Sequence, residues 1–170
     1  MKATKVTHYL KDGFKKVCDV NIDSIGHWYY TDIDHLLMFD DHRSWVYFIA
    51  LDGIIYKIGE CGTPLGIKPQ VIHGNFPELQ PRKTTKCRLG RYRSGDLTDQ
   101  YIRESLAKPI KNSSKVTIWA KQCPIQVTTE ILCGQKIKLV NTIHKDLEQH
   151  YLRYFKEQTG ALPILNKGHI

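Results

Sequence analysis

Trp45-Val46-Tyr47-Phe48-Ile49-Ala50-Leu51-Asp52-Gly53-Ile54-Ile55-Tyr56-Lys57-Ile58-Gly59 is the stretch whose reading decides the fold. Two runs rich in β-branched and aromatic residues flank an Asp-Gly, which is the pattern of a β-hairpin. A three-residue loop, Leu51-Asp52-Gly53, with Gly53 in the left-handed region, is a favoured connection and the one expected here. That register pairs Ala50 with Ile54 and Tyr47 with Lys57. Directly opposed side chains stand about 5 Å apart at Cβ. A phenol and an ammonium would then face each other on a sheet surface otherwise lined by Val46, Phe48, Ile49, Ile55 and Ile58. A two-residue loop would put them on opposite faces.

The flanking segments are less regular. Residues 1–44 mix short strand-like pieces such as Val6-Thr7-His8-Tyr9-Leu10 with an aromatic, acidic segment holding Trp28, Tyr29, Tyr30, Asp32, Asp34, Asp40 and Asp41. They are expected to form an N-terminal elaboration packed on a core of residues 45–170, contributing dimer or DNA contacts. Within that core, residues 60–81 carry Pro64, Pro69, Pro77 and Pro81 with Gly62, Gly66 and Gly74, too broken for a helix or a central strand. So long a loop inside a domain reads as a functional insertion. A short helix should begin inside the stretch from Arg82 to Arg93 and end near Ser94-Gly95. A second should run from Leu97 to Ala107, with Tyr101, Ile102, Ser105 and Leu106 along one face and Pro109 beyond its end. The run from Lys115 to Lys121 alternates like a strand. Gly134 then breaks the chain before the clearest helix, roughly residues 139 to 158. Its Val140, Ile143, Leu147, Tyr151, Tyr154 and Phe155 recur with helical period, and Gly160 and Pro163 stop it. The fold class is α+β, a small mixed or antiparallel β-sheet with flanking helices.

Composition narrows the class of partner. A chain of 170 residues with 25 Lys+Arg against 17 Asp+Glu carries a net charge of +8, which favours a polyanion. Six of the positive residues, Arg82, Lys83, Lys86, Arg88, Arg91 and Arg93, fall within twelve positions that contain no acid. The five cysteines, Cys18, Cys61, Cys87, Cys123 and Cys133, form no C-x-x-C pair, which argues against both a disulfide framework and a zinc ribbon. A mixed site from Cys61, His73 and Cys87 stays open, although its spacing is unlike that of structural zinc sites. With no signal-peptide pattern at its start and no run of 18 apolar residues, the chain is expected to be soluble, cytoplasmic and without a membrane partner. It shows no phosphate-binding glycine loop and no triad-like arrangement, so neither a nucleotide cofactor nor a small-molecule substrate is expected.

Arg88 and Tyr92 are four residues apart, so on a helix they share one face. A guanidinium beside a phenol makes a phosphate grip, the first donating two parallel hydrogen bonds and the second adding a directional donor. Glu148 stands at the edge of the apolar stripe of the last helix, where a carboxylate can project into a cleft and hold one hard cation through oxygen.

Taken in order, Tyr47, Lys57, Arg88, Tyr92 and Glu148 resemble the GIY-YIG nuclease superfamily over roughly residues 45–166. Trp45-Val46-Tyr47 stands where that family reads Gly-Ile-Tyr, and Lys57-Ile58-Gly59 where it reads Tyr-Ile-Gly. Arg88 stands for the helix arginine, Tyr92 for a histidine often found one turn later, and Leu147-Glu148 for the metal-binding glutamate. Pro163-Ile164-Leu165-Asn166 resembles the asparagine-containing close of the domain. Arg88-Leu89-Gly90-Arg91-Tyr92-Arg93, and Ser114-Lys115-Val116 leading to Ala120-Lys121-Gln122-Cys123, bring the likeness closer to the small type II restriction endonucleases and to the endonuclease II of T-even phages. Three departures stand out: Trp45 for the first glycine, Lys57 for the second tyrosine, and Tyr92 for the histidine.

The resemblance implies a type II restriction endonuclease that hydrolyses phosphodiester bonds in both strands of double-stranded DNA with one divalent cation, Mg²⁺ or Mn²⁺. It implies that Tyr47 takes a proton from, or orients, the attacking water, with Lys57 supplying positive charge. Arg88 and Tyr92 would hold the scissile phosphate, and Glu148 would fix the metal. Lys83, Lys86, Arg91 and Arg93 are the expected contacts to the DNA backbone. Two-strand cleavage of a palindrome implies a homodimer. Two other readings stay open: a phage or mobile-element nuclease of loose specificity, and a basic nucleic-acid-binding module without catalysis.

Overall fold

Both faces of the strand Trp45–Leu51 are buried, and this sets the layers of the molecule. The computed structural model describes residues 2–68, 79–94 and 97–166. The larger sheet contains β1 (Lys15–Ile22), β2 (Trp28–Thr31), β3 (Trp45–Leu51), β4 (Ile54–Cys61) and β5 (Val116–Gln122) in the order β2-β1-β5-β3-β4. Every pairing in it is antiparallel. Period-two alternation sends Trp45, Tyr47 and Ile49 of β3 to one side, where they pack with Leu89 and Tyr92 of α2 (Arg88–Ser94) and Ile102 and Leu106 of α3 (Leu97–Lys111). Val46, Phe48 and Ala50 go to the other side, against Tyr151, Leu152 and Phe155 of the last helix, α4 (His144–Thr159). A single-turn helix, α1 (His35–Met38), completes the helical elements. The α+β class with an antiparallel sheet and flanking helices is therefore as expected.

The hairpin forms, but by another turn. Leu51 pairs directly with Ile54, leaving a two-residue loop in which Asp52 and Gly53 have φ of 48° and 79°. Positive φ at both positions is the type I′ geometry that Asp-Gly favours. The parity that such a loop would lose is restored by a bulge, since Ala50 pairs with Ile55 but Ile49 with Lys57, leaving Tyr56 as the extra residue. Lys57 and Tyr47 thus share a face as diagonal neighbours, while the residue opposite Tyr47 is Gly59. Ile49 lies on that face, and Val46, Phe48, Ile55 and Ile58 lie on the other.

Residues 1–44 do more than pack against the core, because they supply β1 and β2, two of the five strands. Val6–Leu10, expected as a strand-like piece, belongs instead to a 3₁₀ helix (Val6–Asp12) whose Val6 and Tyr9 are buried beside Phe48 and Tyr151. Helix α2 lies within the stretch expected to hold it and is described as far as Ser94. Helix α3 instead continues through Pro109 to Lys111; the proline lacks a donor, yet Asn112 N still bonds Lys108 O at 3.0 Å. The last helix starts at His144, not at 139. Leu139 and Val140 belong to a second sheet, a hairpin of β6 (Ile125–Leu132) and β7 (Gln135–Thr142) turning at Cys133-Gly134, with φ of 51° and 75°. All eight positions of β6 are exposed, so no buried face stamps a pattern on the sequence. Cys18, Cys61, Cys87 and Cys123 are buried and free, and Cys133 is exposed. Residues 69–78 of the expected insertion loop, His73 among them, and Gly95 lie outside the described residues.

The two edges of the main sheet are closed in the same way, by a carboxamide that mimics a strand. On β2, Tyr30 N donates to Gln80 Oε1 at 2.9 Å while Gln80 Nε2 donates to Tyr30 O at 2.6 Å. On β4, Ile58 N donates to Asn166 Oδ1 at 2.8 Å and Asn166 Nδ2 donates to Ile58 O at 2.7 Å. Leu165 N adds a bond to Tyr56 O at 2.8 Å. Asn166 is 1% exposed, so its removal would strand both backbone groups of Ile58 away from water. Asn166→Ala should therefore cost about 2–6 kcal/mol of folding stability, at 1–3 kcal/mol for each of the two stranded groups. Denaturant unfolding at constant m-value checks this.

Candidate active site

Tyr47, Lys57, Arg88 and Glu148 line one cleft of about 440 Å³, together with Gly59, Glu60, Arg91, Asp99 and Tyr101. β3 brings Tyr47, β4 brings Lys57, Gly59 and Glu60, α2 brings Arg88 and Arg91, α3 brings Asp99 and Tyr101, and α4 brings Glu148. Of the five residues expected to carry chemistry, four meet there. The fifth, Tyr92, stands behind them: it is fully buried, and its hydroxyl shares a 2.8 Å hydrogen bond with the hydroxyl of Tyr47. Trp28 stacks on its other side, with ring centroids 5.2 Å apart. Arg103 Nη1 holds the Tyr92 carbonyl at 2.8 Å. In this arrangement Tyr92 is a buried hydrogen-bond partner of Tyr47, and of the expected pair only Arg88 lines the cleft.

A glycine makes the placement of Tyr47 possible. A Cβ on Gly59 would lie 2.5 Å from both Cζ and the hydroxyl of Tyr47, an overlap that cannot be accommodated without moving the ring. Arg88 lies over the other part of that ring, its Cζ 5.7 Å from the centroid, and its Nη2 donates to the Glu60 carbonyl at 3.0 Å. Its Nε is buried and has no hydrogen-bond partner among the described residues.

Burial governs the ionisation of these groups. Desolvation pushes the Tyr47 phenol up to about 12, against the opposing influence of Arg88 and the hydrogen bond from Tyr92. The charge expected from Lys57 thus comes from Arg88, and it does not overcome burial. Desolvation also holds Lys57 below the usual lysine range, partly countered by the Glu148 carboxylate. Glu148 is raised, first by desolvation and next by Glu60, with Lys57 and Arg88 opposing. Two carboxylates that repel each other across one cleft make a donor set suited to a hard cation. Among the described residues no group of three or more His, Cys, Asp or Glu side chains comes together. One or two carboxylates, with substrate phosphate and water completing the shell, is how Mg²⁺ is usually bound, so the residues present fit such an ion.

The expected backbone contacts divide. Lys83 and Lys86 are exposed on the turn before α2. Arg91 faces Asp99, with Nε 3.8 Å from Oδ2. Arg93 is drawn into the fold, donating from Nη1 to Gln80 Oε1 at 3.1 Å. Three features of the site carried no sequence signal strong enough to find them. Glu60 directly follows a motif but resembles any surface acid, Asp99 becomes significant only once α3 is docked on α2, and Trp28 lies far off in sequence.

No family model matches the chain, and no curated protein matches it in sequence. Solved structures share its fold, two of them as follows. One is of a mutant of bacteriophage T4 EndoII, at 15% identity and TM-score 0.61, covering 95% of this chain and 98% of that one. The other is of the restriction endonuclease HPY188I in complex with product DNA, at 22% identity and TM-score 0.50, covering 96% of this chain and 85% of that one.

A raised carboxylate makes a prediction about stability. Because Glu148 binds its proton more tightly in the folded state than in the unfolded state, its contribution is intact below the ordinary carboxylate range. That contribution is lost as pH rises through the folded value. Glu148→Gln should accordingly raise the melting temperature of the DNA-free protein at pH 7, and the gain should vanish near pH 4. Calorimetry at the two pH values measures it.

Proposed function

We propose that this chain is a DNA endonuclease of the GIY-YIG type, acting with one divalent cation. In our reading it cuts both strands of a short sequence as a homodimer, in the manner of a type II restriction enzyme. The observation that carries the reading is the single cleft in which Arg88, Lys57, Tyr47 and Glu148 converge. A fold shared with a restriction endonuclease bound to product DNA supports it, as does the net charge of +8.

Arg88 binds the scissile phosphate with the donors that the fold leaves to it, and stabilises the negative charge that grows on the phosphate oxygens in the transition state. Tyr47, as a neutral phenol fixed by Tyr92 and by the gap at Gly59, orients the attacking water. Lys57 is the neighbour displaced towards accepting that water's proton, whereas Tyr47 is displaced away from it. Glu148 would hold the cation, which supplies a Lewis acid for the departing 3′ oxygen. In this reading Lys83 and Lys86, exposed on the turn before α2, contact the DNA backbone, and Arg91 lies on the cleft wall.

Incubation with a plasmid of known sequence, with Mg²⁺, with EDTA, and with Glu148→Ala in parallel, tests the reading. Discrete fragments that need both Mg²⁺ and Glu148 are expected. A smear or predominant nicking would favour a nuclease of loose specificity, and intact plasmid would contradict the enzyme reading. Lys57→Arg keeps the charge but cannot release its proton at working pH, so it should slow cleavage at least 100-fold, by the usual size of general-base contributions. A rate within threefold of the parent would remove Lys57 from proton transfer. Binding should weaken with salt at a log–log slope near −0.9 for each phosphate neutralised. Lys83→Ala and Lys86→Ala should each make that slope shallower by about 1 without changing the sequence cut. Light scattering on the DNA-free protein reads the oligomeric state, for which a dimer is expected.

A further inference from the structure

We infer that His144 is a positioning residue for this active site, pinning the start of α4 so that Glu60 and Glu148 keep their places in the cleft. The inference rests on the endonuclease reading above.

Helix α4 opens without the usual support, since its N-cap is Ile143 and no side chain caps it. What fixes its first residue is the side chain of His144, which is almost fully buried. Its Nδ1 lies 3.2 Å from Ser44 Oγ, and its Nε2 lies 3.3 Å from Glu60 Oε2. Ser44 is itself fully buried at the entry to β3, and its carbonyl accepts from Cys123 N at 2.7 Å, just past β5. The histidine therefore ties α4 to three strands at one point. The backbone makes room for it at Gly62, where a Cβ would stand 3.2 Å from both Cε1 and Nε2 of the ring.

The two groups that this knot controls both belong to the cleft. Glu148 is four residues beyond His144, hence on the same face of α4 one turn on. Glu60 lines the cleft, and its carbonyl receives the Nη2 of Arg88. A shift of Glu60 would thus disturb the carboxylate beside Glu148 and the anchor of the phosphate-binding arginine together. The Ser-His-Glu order invites comparison with a hydrolytic triad, but no substrate can reach Ser44, which is 0% exposed. The chain of contacts runs the other way, from a buried hydroxyl out to a carboxylate at the cleft. Partners that orient active-site ligands in this way typically change metal affinity or activity by about 10–100-fold when removed.

Two substitutions of His144 separate this role from simple packing. In His144→Gln the longer carboxamide can still reach Glu60, whereas in His144→Asn the shorter one can reach only Ser44. Steady-state cleavage of a duplex carrying the mapped site, together with melting temperature, is the measurement. His144→Asn and Glu60→Ala are expected to lower kcat at least tenfold with KM within threefold of the parent, while His144→Gln restores kcat to within threefold. A folded His144→Asn that cuts at the parent rate would overturn the inference, as would losses in all three variants that simply track melting temperature. Should His144→Asn fail to fold, Ser44→Ala, which removes the buried hydroxyl that anchors the ring, decides: parental kcat overturns the inference and a tenfold loss at parental KM sustains it. If the folded parent itself cuts no DNA with Mg²⁺, the endonuclease reading fails and this inference falls with it.

Discussion

The ring of Tyr47 lies directly across the backbone of Gly59, and most of the candidate site follows from that contact. A side chain on Gly59 would occupy the space of the phenol, so the strand opposite Tyr47 has to be bare at that register position. With the ring held there, its hydroxyl meets Tyr92 and its face meets Arg88. Helix α2, which carries both of those residues, is in turn fastened by Arg103 from α3 and backed by Trp28 from β2. A packing constraint between two strands thereby sets the relative position of groups drawn from three other elements.

The same economy closes the sheet. Unpaired strand edges invite association with other chains. Here a glutamine covers the outer edge of β2 and an asparagine that of β4, each pairing both backbone groups of one residue. Asn166 closes the edge of the strand that carries Lys57 and Gly59, so the end of the described chain and the cleft are mechanically linked through β4. The charged groups in the cleft work against the fold, since burial moves Lys57 and Glu148 towards neutrality. Burying a charged group costs folding free energy unless it is fully paired.

The hairpin, the strand at 116–122 and helix α2 were legible because local chemistry specifies each of them, but the hairpin's turn was not. The facing of Tyr47 and Lys57 was half legible: the shared face was right, but direct opposition was not, because a two-residue turn and a bulge at Tyr56 together mimic the parity of a three-residue turn. Nothing local in a sequence distinguishes those two solutions. Tyr92 was read as a phosphate ligand from its spacing to Arg88, and only tertiary packing shows it fully buried behind Tyr47. Strands β6 and β7 escaped because an exposed hairpin has no inward face to leave a pattern, and Val140 and Ile143 then lent their apolar character to a helix that begins later. Glu60 and His144 are 84 positions apart, and their meeting depends on the docking of α4 against β4.

The central claim is that one phosphodiester enters this cleft with its phosphate on Arg88. A crystal structure of Glu148→Gln bound to a duplex that spans the mapped cut site tests it most directly. The account predicts the scissile phosphate within hydrogen-bond reach of the Arg88 guanidinium, with Tyr47 and Lys57 on the side from which water attacks. A duplex bound elsewhere on the molecule, with no phosphate near Arg88, would contradict it.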